Sequence, residues 1–199
     1  MKFITASVLL ASTIYSTLRY NVFKGIPWAD WPTYVMNKSF GLSALALVTI
    51  EVLRRRLLTS GPNMHLFKMA GLFAAIHVVL SLVLLSPVYY EKLYEQGKLT
   101  GLAGTALVLG AIAAATFSLG GGPMPAARAH RTAWTLAVLG LVIGVHAALQ
   151  GYATWFTPRQ WPGGMPPNTL LSFLLGMVAL VSGLWPTRAA NHSDAEFNP

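Results

Sequence analysis

Six apolar runs follow one another along the chain, at residues 3–18, 40–53, 69–88, 102–119, 132–150 and 170–185. Crossing a bilayer takes about 20 residues of apolar helix, with a usual range of about 17–25. The second and sixth runs are short and need flanking residues or tilt to cross. The pattern predicts an all-α fold: an integral membrane bundle of six transmembrane helices over residues 1–187. A polar C-terminal tail follows over 188–199, and no room is left for a separate soluble domain. The first run, after Lys2, also meets the outline of a secretory signal. Ala6 and Ala11 are followed by Arg19-Tyr20-Asn21 with no clear Ala-x-Ala site, so it is read as a retained helix. Its loss would leave five spans.

The connections carry the orientation. With six spans, both termini share a side with the second and fourth loops. That side collects Lys2, Arg54, Arg55, Arg56, Lys68, Arg128, Arg131 and Arg188. The other side has Arg19, Lys24, Lys38, Lys92, Lys98 and Arg159, accompanied by Asp30, Glu91 and Glu95. The excess of basic residues predicts cytoplasmic termini in a bacterial inner membrane. Aromatic residues divide more sharply. Tyr15, Tyr20, Trp28, Trp31, Tyr34, Tyr89, Tyr90, Tyr94, Tyr152, Trp155 and Trp161 lie at or near the first, third and fifth connections, and only Trp134 and Trp185 fall on the other side. Indole and phenol rings favour the headgroup interface, so these three connections should share one face. Their length and their prolines predict a partly ordered cap there.

Composition agrees. Hydrophobic residues make up 54% of the chain and charged residues 10%, with a mean hydropathy of +0.55. A soluble domain carries about 25% charged residues. The net charge of +8 then belongs to basic loops at a membrane surface. No basic stripe interleaved with aromatics points to nucleic acid. The absence of cysteine excludes disulfides, Cys-ligated zinc, iron–sulfur clusters and thiol redox chemistry.

Two histidines interrupt the third and fifth runs, His77 and His146. Imidazole is costly in hydrocarbon unless it is paired or ligated, so each marks a functional site by default. Both runs point the same way. His65 opens the third and His130 the fifth. His77 lies twelve residues beyond His65, about 18 Å along a helix, and His146 sixteen beyond His130, about 24 Å. The depths differ by about 6 Å, roughly one turn, which tilt or a ragged helix start absorbs. The pair is therefore read as two axial ligands to one haem iron. Two buried imidazoles hydrogen-bonded to neighbouring helices are the plainer alternative. Ala70, Ala74 and Ser81 form a small-residue stripe on the face of His77. Such a stripe leaves room for a flat macrocycle, or simply lets helices pack closely. His65 and His130 sit beside basic residues at the interface, where imidazole costs little. Rotation of about 120° and about 160° separates them from His77 and His146. A second haem on that outer pair is the weaker reading. His192, in the polar tail, is read as solvated.

Other motifs carry no chemistry. Gly120-Gly-Gly-Pro-Met-Pro lacks the Lys-Ser/Thr ending and the strand-to-helix context of a phosphate loop. No G-x-G-x-x-G unit offers a dinucleotide site. Glu51, beside three arginines, reads as a local ion pair.

Asn37-Lys-Ser-Phe-Gly-Leu-Ser-Ala-Leu-Ala-Leu, the Lys68-Met-Ala-Gly-Leu-Phe-Ala-Ala-Ile-His77 run and His130-Arg-Thr-Ala-Trp-Thr-Leu-Ala…His146 together resemble the ferric reductase-like transmembrane domain. That family includes the eukaryotic ferric reductase and NADPH oxidase membrane cores, and the bacterial haem b subunit serving a periplasmic methionine sulfoxide reductase. The resemblance covers roughly residues 1–187. It implies a six-helix bundle with haem b held by histidines of the third and fifth helices. His77 matches the deep histidine of the third, and His130 and His146 the two of the fifth. His65 has no firm counterpart.

The expected function is transmembrane electron transfer by a haem b protein, with one haem or two. Bis-histidine ligation leaves the iron no open position for oxygen. Electrons would come from a quinol or flavoprotein donor, flavin or quinone being the further cofactors, and pass to an acceptor on the outer side. The chain would then be one component of an oxidoreductase, its partners being the lipid bilayer and separate redox proteins. The arginine-rich face is the expected docking surface for a donor. Two readings of other classes stay open: a cofactor-free structural subunit of a membrane complex, and a small transporter or proton-conducting protein using His77 and His146.

Overall fold

The computed structural model describes residues 1–57, 63–119 and 129–184. It is mostly helical (86%). The helices are α1 (Lys2–Thr17), α2 (Met36–Leu57), α3 (Met64–Val83), the single turn α4 (Pro87–Tyr90), α5 (Gly101–Leu119), α6 (Ala129–Gly151) and α7 (Asn168–Leu184). A two-stranded ribbon, β1 (Tyr94–Glu95) against β2 (Lys98–Leu99), adds a small departure from the all-helical expectation. Its turn is Gln96-Gly97, both at positive φ, the backbone that suits a tight hairpin. The glycine-rich turn at 120–125, Trp185 and the tail with His192 lie outside the described residues, as does the side chain of His130.

Four stretches are long and apolar enough to cross a membrane: Trp28–Leu57, His65–Val83, Trp134–Thr154 and Pro162–Leu184. The apolar helix Gly101–Thr116 is shorter, and α1 is not among the four. The second and sixth runs are thus longer as helices than as apolar runs. Before α2 the chain already winds helically through Trp28–Asp30 and Trp31–Val35. The polar residues at 37–39 stay inside the helix because they are partnered. The Ser39 hydroxyl donates to the Val35 carbonyl at 3.0 Å, and Asn37 Nδ2 to the Tyr90 hydroxyl at 3.2 Å. At the start of α3, Asn63 caps the helix, its Oδ1 accepting from the backbone N–H groups of His65 and Leu66.

On α1 and α7 burial runs opposite to that of a protein in water. On α1 the buried residues are Thr5, Ser12 and Ser16, while Phe3 is 88% and Leu10 62% exposed. On α7, Ser172, Gly176 and Ala179 face inward, and Leu174, Val178 and Val181 outward. Hydrocarbon favours this arrangement, since only small and polar residues gain from helix contact there. α2 is the central element and packs against α1, α3, α6 and α7. Its Leu47, Val48 and Val52 meet Leu66 of α3 and Leu136 of α6 in the main core. α6 and α7 approach most closely. A Cβ on Gly176 would lie 2.4 Å from the Gly140 carbonyl oxygen, and one on Gly140 2.8 Å from the Ala179 Cβ.

The three long connections converge at one end of the bundle, the aromatic end. Tyr20 packs edge-on to Tyr34, with ring centres 5.5 Å apart, and Tyr34 stacks on Tyr89 at 5.9 Å. The Tyr89 hydroxyl donates to Asp30 Oδ1 at 2.9 Å, the Tyr15 hydroxyl to the Pro166 carbonyl at 2.6 Å, and Trp31 Nε1 to Thr17 Oγ1 at 2.9 Å. Asn168 Nδ2 donates to the Ser16 hydroxyl at 2.9 Å and ties α7 to α1.

Candidate functional site

His77 lies six residues before the end of α3, and His146 five before the end of α6. Counted from these helix ends the two positions differ by one residue, whereas counted from His65 and His130 they differ by four. Both imidazoles line one cavity of about 100 Å³, open at one side and walled by α2, α3, α5, α6 and α7.

Each ring is held in the same way. His77 Nδ1 lies 3.0 Å from the Asn37 carbonyl oxygen on α2, and His146 Nδ1 lies 2.6 Å from the Ala106 carbonyl oxygen on α5. A carbonyl only accepts, so each Nδ1 carries the proton and each Nε2 keeps its lone pair. One helical turn beyond each carbonyl stands a glycine that makes space for the ring. A Cβ on Gly41 would come within 2.9 Å of His77 Nδ1, and one on Gly110 within 3.2 Å of His146 Cε1. The His146 Nε2 also accepts a hydrogen bond from the Gln150 amide at 3.0 Å, so a ligand at that atom must displace Gln150.

The remaining wall combines small apolar residues, among them Ala74, Ala113, Ala114 and Ala147, with the polar side chains of Gln150, Asn168, Thr169 and Ser172. Among the described residues, Lys38 is its one cation. Lys38 Nζ donates to the Tyr90 hydroxyl at 3.1 Å, and Ser81 donates to Asn37 Oδ1 at 3.1 Å. The small-residue stripe beside His77 therefore divides its duties. Ala74 lines the cavity, Ser81 braces Asn37, and Ala70 packs in the core.

No known family model matches the chain, and no curated protein matches it.

Among the described residues there is no group of three or more ligating side chains fit for a metal ion. A haem iron asks the protein for only two. His65 is not in the wall of the cavity, and its buried Nε2 has no partner among the described residues. At the same, arginine-rich end of the bundle, Glu51 is 1% exposed and accepts from Arg54 Nε at 3.0 Å and Arg55 Nε at 2.6 Å. It also accepts the Asn63 backbone N–H at 2.8 Å. Arg56 donates to the Gly183 carbonyl. The three arginines thus each make an internal contact. The sequence reading did not identify Asn37, Gly41, Ala106, Gly110 or Gln150 as part of the site. Isolated glycines inside apolar helical runs were the signal available for two of them.

Proposed function

We propose that this chain is a six-helix haem b protein that carries single electrons across a bilayer. One haem would sit between His77 and His146, with the termini cytoplasmic and the aromatic end outward. The observation that carries this reading is the matched pair of imidazoles on one cavity, each with Nδ1–H bound to a backbone carbonyl and Nε2 left as the donor atom. That second-contact pattern orients histidines that ligate metals and raises their basicity. The alanines of the wall, Ala74, Ala113, Ala114 and Ala147, keep bulk away from the rings where a flat macrocycle would lie. A haem bound there supplies one-electron exchange at a potential set by its ligands and surroundings.

The chain's own residues do the rest. Asn37 and Ala106 fix the ring orientations, and Gly41 and Gly110 admit the rings. Held in this way, the site exchanges electrons with little rearrangement. A separate donor, a quinol or a flavoprotein, and a separate acceptor complete the chain of transfer. The test is a dithionite-reduced minus oxidised visible spectrum of the purified protein, with haem quantified per chain. The reading expects a b-type band and about one haem per chain. The absence of any band after expression with ample haem would favour a scaffolding or transport role.

A further inference from the structure

A second and larger chamber, about 1190 Å³ counting its open mouth, lies at the aromatic end. It shares Lys38, Gln150 and Thr169 with the histidine cavity. Its walls carry Arg19, Lys24, Lys38 and Lys92, against one carboxylate among the described residues, that of Glu91. Among the described residues, the ion pairs are those of Glu51 with Arg54 and Arg55, and none involves these four cations. Tyrosine rings hold three of them. Lys38 Nζ lies 4.7 Å from the Tyr90 ring centre and 5.2 Å from that of Tyr34. Lys24 and Arg19 lie 5.8 and 5.7 Å from that of Tyr20. Ring faces orient cations without neutralising them.

Arg19 is 6% exposed, and its guanidinium donates to the Met165 carbonyl, yet its buried Nε–H has no acceptor among the described residues. The cations also act on one another. Burial, then Lys38 and Arg19, push Lys24 below the usual lysine range, and burial, then Lys38 and Lys24, do the same to Lys92. Like charges gathered in one concave site repel, and together they attract an anion. The donor set of a planar guanidinium fork, three ammonium groups and the Tyr90 hydroxyl matches oxyanions. A single monovalent ion would meet only part of it.

We propose that this chamber binds an oxyanion bearing two or more carboxylate or phosphate groups, held by Arg19, Lys24, Lys38 and Lys92 beside the histidine cavity. The site does not rest on the haem reading, because it needs these cations and nothing bound to His77 or His146. Isothermal calorimetry tests it, with the full chain in phosphatidylcholine nanodiscs titrated with citrate and with pyrophosphate. Saturable binding near one per chain is expected, weakened about tenfold or more by Lys24→Gln and by Lys92→Gln. Both side chains are exposed, so the fold survives either change. Discs containing phosphatidylglycerol distinguish the sources of the ligand. Citrate displaced by that lipid assigns a headgroup phosphate to the site, and citrate bound as before assigns a soluble anion. Absence of saturable binding by both probes, or binding that both variants leave unchanged, overturns the proposal.

Discussion

His77 and His146 occupy equivalent settings. Each donates its Nδ1–H to the carbonyl of a residue forty positions earlier in the chain, Asn37 or Ala106. Each packs over the glycine one turn beyond that carbonyl, Gly41 or Gly110. Chance burial of two imidazoles would not repeat the carbonyl and the glycine together. A site that must aim two donor atoms into one cavity requires this repetition.

The glycines offer a test of that geometry. Gly41→Ala places a methyl 2.9 Å from His77 Nδ1, and Gly110→Ala places one 3.2 Å from His146 Cε1. Each should lower thermal stability by about 1–3 kcal/mol, as overpacking does, and shift the b-type band of the bound haem. Gly104 has nothing within 4 Å of an added Cβ, so Gly104→Ala should be neutral or stabilising by about 0.4–1 kcal/mol. Thermal unfolding in detergent, followed by circular dichroism and the visible spectrum, reads all three.

Much of this was legible in the chain, and the rest had physical reasons to stay hidden. Apolar runs and inward histidines announce themselves through hydropathy alone. The α2 extension did not, because Asn37, Lys38 and Ser39 read as a polar flank until their partners on α3 and α4 are known. Counting from His65 and His130 separates the two histidine positions by four residues and counting from the ends of α3 and α6 by one, and those helix ends show only in the fold. The receiving carbonyls belong to ordinary positions on other helices, so no local pattern marks them. The pairing of Glu51 with the arginines beside it was legible in the sequence, whereas the Gly183 carbonyl that takes the Arg56 donor shows only in the fold.

The close α6–α7 crossing depends on Gly176. Gly176→Ala would place a Cβ 2.4 Å from the Gly140 carbonyl oxygen and force the helices apart, for a loss of about 1–3 kcal/mol. The melting temperature should fall in the variant. An unchanged melting temperature would show that the helices are not in this contact.

Glu51 anchors the arginine-rich end. Glu51→Gln leaves Arg54 and Arg55 without their carboxylate, and breaking a buried pair of this kind costs about 3–5 kcal/mol. A large drop in thermal stability should follow. Haem content per folded chain should stay unchanged, since Glu51 is not in the cavity wall. Haem loss from the folded variant would tie the two ends of the bundle together.

Tyr89 links the cap to pH. Its hydrogen bond to Asp30, with lesser contributions from burial and the Asp30 charge, raises its hydroxyl above the ordinary tyrosine value. The folded state thus favours the protonated phenol. Its contribution is fully present below about pH 10, the unperturbed value, and is lost as pH rises through the higher folded value. Asp30→Asn should return the Tyr89 titration toward the ordinary range. Ultraviolet difference titration against Tyr89→Phe measures this, and an unmoved titration would remove Asp30 as the cause.

The most direct test of the central claim is haem content per folded chain in His77→Ala and in His146→Ala, read from the reduced minus oxidised spectrum beside the parent protein. Loss of the b-type band in both variants, with the helical fold retained, is the predicted result. Full haem in both would contradict the assignment of these two histidines as the ligands.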